Sequence, residues 1–167
     1  MPLKAPKILV IGYGNPGRGD DGLGQALGRD IEALGIDGVT VECDYQLMVD
    51  HAALIAEQDI VVFADAMMGL DAPYSFSAIG SESPQTLGSH EVSPEAALAL
   101  AGLLFGRAPH GWILAIGGDE FGEVKEGLGK RANANLLLAV DFLRHWLKAQ
   151  SAVTANRNDH SVADVKL

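Results

Sequence analysis

One thiol, Cys43, is all the cysteine this 167-residue chain has. An internal disulfide and a cysteine-built zinc site are therefore excluded. Basic residues are scarce as well: 12 Lys and Arg stand against 22 Asp and Glu, a net charge of −10. Such a surface repels nucleic-acid backbones and anionic lipid, so neither is expected as a partner, whereas a metal cation or a basic peptide is favoured. The apolar runs are too short to span a bilayer, each broken by Gly, Asp or Gln. The opening MPLKAPKILVIG enters a Gly-rich turn without a small-residue cleavage site, which marks a strand and not a signal peptide. No G-x-S-x-G elbow and no H-E-x-x-H pair occurs. Serine-nucleophile and zincin chemistries thus lose their usual carriers. Cys43 falls inside a predicted strand with no histidine near it in sequence, so it is no activated nucleophile. Internal repeats and dividing linkers are missing too. A cytoplasmic setting is expected.

What is present is an ordinary globular composition, 48% hydrophobic and 20% charged, at a length that suits one domain with a proper core. Residues 1–149 are read as that domain and 150–167 as a polar, aperiodic, mobile tail. Lys7–Gly12 is a continuous apolar run, as in a strand buried on both faces. Leu23, Ala26, Leu27, Ile31 and Leu34 recur at helical spacing, and Gly35 stops them. Val39–Cys43 reads as a second strand, Leu47–Gln58 as a helix, and Asp59–Ala66 (DIVVFADA) as a third, buried strand. Tyr74–Ile79 alternates like a strand nearer an edge. Ser93-Pro94-Glu95 has the form of a helix start running to about Phe105. Trp112–Ile116 is a fifth strand and Ala132–Lys148 a long amphipathic helix. Strands alternating with helices predict an α/β fold: an open, mostly parallel five-stranded sheet flanked by helices on both faces, a three-layer sandwich.

Ligands of such sheets sit beyond the C-terminal ends of the strands. Three features fall there. The first is the loop Gly12–Gly24 (GYGNPGRGDDGLG), with two adjacent carboxylates, Asp20 and Asp21, just before a helix. Gly12, Gly14 and Gly17 also spell a G-x-G-x-x-G, and Asp44 after the second strand stands where a ribose contact would, so a Rossmann-type dinucleotide enzyme is the alternative reading. Against it, Asp20 and Asp21 occupy the helix entrance a pyrophosphate needs. Two like charges about 4 Å apart cost roughly 4 kcal/mol at an effective dielectric near 20. Pro16 also removes a backbone donor. The plain reading of the Asp pair is helix capping, and Asp20 is the member better suited to that role alone. The second feature is Asp65 at the tip of DIVVFADA, a site carboxylate or a turn cap. The third is His90 in LGSHEVSPE, a ligand or a solvated loop histidine. Two carboxylates and an imidazole from loops at one sheet edge suit a borderline divalent cation such as nickel or zinc. His51, His110, His145 and His160 read as structural or solvated.

With Gly12, Gly14, Asn15, Asp20, Asp21, Gly22 and Gly24 in place, the loop resembles the G-x-G-N-x-x-x-x-D-D/E-G-x-G signature of the hydrogenase maturation proteases. Ala64–Ala66 (ADA), the Ser89-His90 pair and EGLGKRANANL near the C-terminus resemble further segments of that family, so the likeness covers about Lys7 to Lys148. It implies an endopeptidase that removes the C-terminal extension of a nickel-loaded [NiFe]-hydrogenase large-subunit precursor. The implied site is Asp21, Asp65 and His90, serving as both metal ligands and catalytic residues. The implied metal is the nickel already in the precursor, shared with the site, with no organic cofactor. That metal would polarise the scissile carbonyl or acidify a bound water, with a carboxylate as base. A monomer pairing transiently with its precursor is expected. A non-catalytic nickel-sensing assembly module is the remaining alternative. Two departures stand out. Asp21 is shorter by a methylene than the Glu of some members. Pro16-Gly17-Arg18-Gly19 replaces residues that are often apolar, with Arg18 a candidate for substrate carboxylates or for plain solvation. The acidic stretch Gly117–Gly127 is either a solvated run or a face for a basic partner.

Overall fold

The computed structural model describes residues 4–80 and 92–160, the last seven of these by their helical backbone alone. Five strands are joined in the order β2-β1-β3-β5-β4: β1 (Ile8–Tyr13), β2 (Val39–Asp44), β3 (Ile60–Met68), β4 (Tyr74–Ala78) and β5 (His110–Gly118). The first three and β5 run parallel, and β4 closes the far edge antiparallel to β5. The expected open, mostly parallel α/β sheet is what forms. Four helices cover it: α1 (Leu23–Ala33), α2 (His51–Ala56), α3 (Pro94–Phe105) and α4 (Lys130–His160).

Side-chain alternation along the strands sorts the core into two layers. Ile8, Val10, Val62, Ala64, Leu114 and Ile116 pack against α1 and α4. Leu9, Ile11, Val61 and Phe63 pack against α2 and α3. β1 up to Ile11 and β3 up to Ala64 are apolar at every position because both faces are covered. β2, an edge strand, is only half-buried.

Small residues set the close approach of α1 to the sheet. A Cβ on Gly24 would lie 2.2 Å from the Tyr13 carbonyl oxygen and 2.5 Å from that of Ala64. One on Gly28 would meet Cys43 Sγ at 2.6 Å. Helix α1 thus rests directly on the backbones of β1 and β3.

Four elements, α2, β3, β5 and α4, differ from the sequence reading by two residues or more at an end. Helix α2 begins at His51 and not Leu47, because the Met48 N–H donates to His51 Nδ1 at 2.8 Å and holds residues 48–51 in a turn. β3 and β5 are longer than their apolar runs, since they pair with each other from Ile60↔His110 to Met68↔Gly118. Helix α4 starts at Lys130 and continues to His160, so the polar stretch from Ala149 is helical that far. The start of α3 is as expected: Ser93 accepts from the Ala96 N–H at 3.1 Å with Pro94 at the first position. Among the described residues no helix is long and apolar enough to cross a membrane.

Candidate active site

Connections from β1 leave by α1 on one face to β2, and the chain returns by α2 on the other face to β3. The order therefore reverses between β1 and β3, and a crevice opens at their C-terminal ends. Asp21 sits above β1 in a 3-10 turn (Gly19–Gly22), and Asp65 lies in the last half of β3. The structure thus puts these two at the ends of adjacent parallel strands. His90 lies outside the described residues. Among the described residues no group of three His, Cys, Asp or Glu stands close enough to hold a metal ion.

Asp21 is half-buried, and its Oδ2 accepts the Asn15 N–H at 2.8 Å. Asn15 Oδ1 in turn accepts the Gly17 N–H at 2.9 Å, a local Asx-type bond that shapes the loop. Gly14 has φ 134°, and a Cβ there would lie 2.0 Å from the Asp21 carbonyl oxygen, so only glycine fits. The loop is thereby folded onto its own carboxylate. Asp65 is also half-buried, and its Oδ1 accepts the N–H of Ala66 at 2.8 Å. Alternation after Val61 and Phe63 points it toward the α2 and α3 side. Two carboxylates of this kind are hard oxygen donors, suited with an imidazole to a borderline divalent cation.

Asp20 does something the capping reading did not foresee. Its carboxylate caps neither the 3-10 turn nor α1. Its side chain, 1% exposed, crosses to the far end of the chain. Oδ2 accepts the N–H groups of Asp119 and Glu120, and Oδ1 that of Gly129, all at 2.8 Å. Burial pushes this carboxyl upward, but those three donors and the Lys125 charge outweigh it and hold it below the ordinary range. The backbones join too: Gly19 N–H donates to Lys125 at 2.7 Å, Lys125 N–H to Gly17 at 3.0 Å, and Asp20 N–H to Glu120 at 2.9 Å. The acidic stretch after β5 is therefore fastened along the signature loop by its backbone, while the side chains of Asp119, Glu120, Glu123 and Glu126 are exposed, as the solvated reading had them. Within it, Lys125 pairs with Glu120 at 3.3 Å, and Arg131 reaches back to Asp119 at 2.6 Å. Arg18 is exposed, as its solvated reading had it.

Sequence reasoning passed over Gln25. On α1 and almost wholly buried, it donates from Nε2 to the carbonyls of Gly14 at 2.8 Å and Asp44 at 3.0 Å, joining the ends of β1 and β2 to the helix. An amide set among the apolar positions of an amphipathic helix was its only signal. Asn135 is similar, donating to the Gly117 carbonyl from α4 at 2.8 Å. Asp44, the candidate ribose contact, has its Oδ2 3.6 Å from His51 Nε2 and accepts the Tyr45 N–H at 2.7 Å. His51 is structural, buried and holding the Met48 turn. Burial raises the Cys43 thiol, with Arg29 only partly opposing, which keeps it protonated and inert. A cavity of about 550 Å³ lined by Ile60, Leu98, His110 and Trp112 opens at the other end of the strands, away from both carboxylates.

An open, doubly wound α/β domain with paired carboxylates at its switch point is the class these features define. No protein-family model matches the chain, and no curated protein matches it. Solved structures do. A [NiFe] hydrogenase maturation protease, HycI from Thermococcus kodakarensis, superposes with a TM-score of 0.65 at 20% identity, covering 88% of this chain and 96% of that one. The hydrogenase maturating endopeptidase HybD from E. coli gives 0.63 at 24% identity, covering 86% and 93%. An uncharacterized protein from Wolinella succinogenes gives 0.61 at 25% identity, covering 84% and 96%. The chain has the fold of the hydrogenase maturation proteases, and the resemblance read from its signature loop holds at that level.

Proposed function

We propose that this protein is a processing endopeptidase that cuts the C-terminal extension from a nickel-loaded hydrogenase large-subunit precursor. The observation that carries the reading is the placement of Asp21 and Asp65 on adjacent strand ends of a fold that known maturation endopeptidases share. In this reading His90 completes the donor set, and the precursor brings the metal as part of the substrate. The nickel supplies Lewis-acid character at the scissile carbonyl. The chain's own part is to hold two carboxylates in place, one available as base toward the attacking water. The Asn15 N–H orients the Asp21 carboxylate through Oδ2, and the Asp21 Oδ1 has no hydrogen-bond partner among the described residues. Cleavage restricted to loaded precursor acts as a checkpoint on nickel insertion. We place the reaction in the cytoplasm and the protein in solution as a monomer without an organic cofactor.

The dinucleotide alternative loses support from the loop itself. The Asn15 N–H, one of the donors a pyrophosphate cradle would use, is taken by Asp21, and the neighbouring Asp20 is spent on the loop after β5.

The test is incubation of the purified protein with nickel-loaded and nickel-free precursor, read by intact mass. Loss of a C-terminal peptide from the loaded form alone is the expected result. Tight binding with no shortened product would replace the endopeptidase by an assembly module. Full cleavage by both Asp21→Asn and His90→Ala variants would remove the site assignment.

A further inference from the structure

Strand β3 outruns its neighbour. Its last partner on β1 is Gly12, opposite Ala64, while on the other side β5 accompanies it to Met68↔Gly118. Ala66, Met67 and Met68 therefore pair with β5 only, and their β1-side edge has no strand beside it among the described residues. The chain leaving β1 bonds to its other neighbour: Gly14 donates to the Asp44 carbonyl of β2 at 3.1 Å. The Ala66 N–H donates to the side chain next to it in sequence, Asp65, as a strand donor does when no ladder partner faces it.

The same sheet edge carries an unusual amount of exposed apolar surface. Met67 and Met68 are 46% and 66% exposed. Tyr45, Met48 and Val49, in the loop after β2, are 66%, 42% and 54% exposed. Scattered exposed apolar residues need no explanation, but five at one sheet edge, on either side of two carboxylates, mark a contact surface. Methionines suit it, since their flexible thioethers adapt to varied side chains.

We propose that the substrate segment binds as an added β-strand along Ala66–Met68, its backbone completing the unfilled edge and its apolar side chains lying on Met67, Met68, Tyr45 and Met48. The proposal rests on the endopeptidase reading and names how that site takes its peptide. An extended chain is the occupant because an unfilled edge offers ladder bonds that only another backbone satisfies, with alternate side chains giving selectivity. A peptide free of net negative charge is favoured by the −10 charge of the protein. Strand addition also sets the chemistry. A substrate carbonyl that accepts the Ala66 N–H takes it from Asp65 Oδ1 and brings a peptide bond beside that carboxylate.

The test uses hydrogen–deuterium exchange on the full chain, with Asp21→Asn as a trap, mixed with nickel-loaded large-subunit precursor. Exchange at Ala66–Met68 is expected to slow about tenfold or more on binding. In parallel, Met67→Lys and Met68→Lys are expected to raise KM about tenfold with kcat within about twofold, since apolar contacts made alike before and during the reaction contribute to uniform binding. Cleavage of precursor by the wild type without protection of these amides would overturn strand addition and leave the endopeptidase reading intact. Protection that appears without precursor and grows with protein concentration would assign the edge to a second copy and overturn the proposal. Absence of any cleavage of loaded precursor by the wild type would overturn both.

Discussion

The ends of β1 and β3 lie side by side and are built in opposite ways. Above β1 nearly everything is spoken for. Gly12, Gly14 and Gly24 pack backbone on backbone, Asp20 fastens the loop to residues 119, 120 and 129, and Gln25 joins it to β2. Beyond Ala64 and the Asp65 carboxylate, β3 runs on through the half-exposed, apolar Ala66–Met68 with no strand on its β1 side among the described residues. On the proposed reading the contrast separates two tasks. A donor that must meet a metal within tenths of an ångström needs a rigid support, while a surface that admits a peptide needs unfilled bonds.

The sharpest way to break this comparison is to alter the carboxylates and nothing else. Asp21→Asn keeps the volume and removes the charge, so kcat/KM for loaded precursor should fall by about 10²–10⁴, with the thermal midpoint within a degree or two of wild type. An equal loss of stability would mean that Asp21 belongs to the scaffold. Gly24→Ala tests the rigid side. Its Cβ meets the Tyr13 and Ala64 carbonyl oxygens well inside contact distance, so denaturant unfolding should show a loss of about 3 kcal/mol.

Asp20→Asn comes next. The amide oxygen can serve the Gly129 N–H or the Asp119 and Glu120 pair but not both, and its NH2 then faces a donor. A loss of about 2 kcal/mol is expected, read by the same unfolding titration. The pH dependence sharpens this. The Asp20 carboxyl is held below its ordinary value of 3.8, so between those two values the unfolded chain binds more protons than the folded one. Its contribution is therefore present above 3.8 and lost as the pH falls through the lower, folded value. Wild type should lose more stability than Asp20→Asn on acidification from about pH 5 to pH 3. The smallest effect is expected at Val124, in the loop after β5 and 92% exposed, where Val124→Ser should change unfolding free energy by less than about 0.5 kcal/mol.

Much of this was readable in the chain. Apolar runs at 8–11 and 61–64 marked strands covered on both faces, and the Ser93-Pro94 start and Gly35 stop marked helix ends. The positions of Asp21 and Asp65 at the sheet's C-terminal edge followed from where each sits relative to its strand. The limits of β3 and β5 were not readable, because Gly117, Gly118, Met67 and Met68 have no strand pattern of their own and are extended only by pairing with each other. The start of α2 was missed for a related reason: a histidine side chain takes a backbone donor that the helix period alone assigns to the helix.

The adjacent carboxylates show where the division falls. By itself the sequence determined the fold class, because hydrophobic periodicity and turn residues act over a few neighbours, and it determined which strand ends carry acidic groups. It could not divide the work between Asp20 and Asp21, since the donors that claim Asp20 lie about a hundred residues further along the chain. Nor could it show that β3 outlasts β1, because an unfilled edge is a relation between strands. Those were decided by tertiary structure, where burial forces every backbone donor to find a partner and only the packed chain determines which one is near.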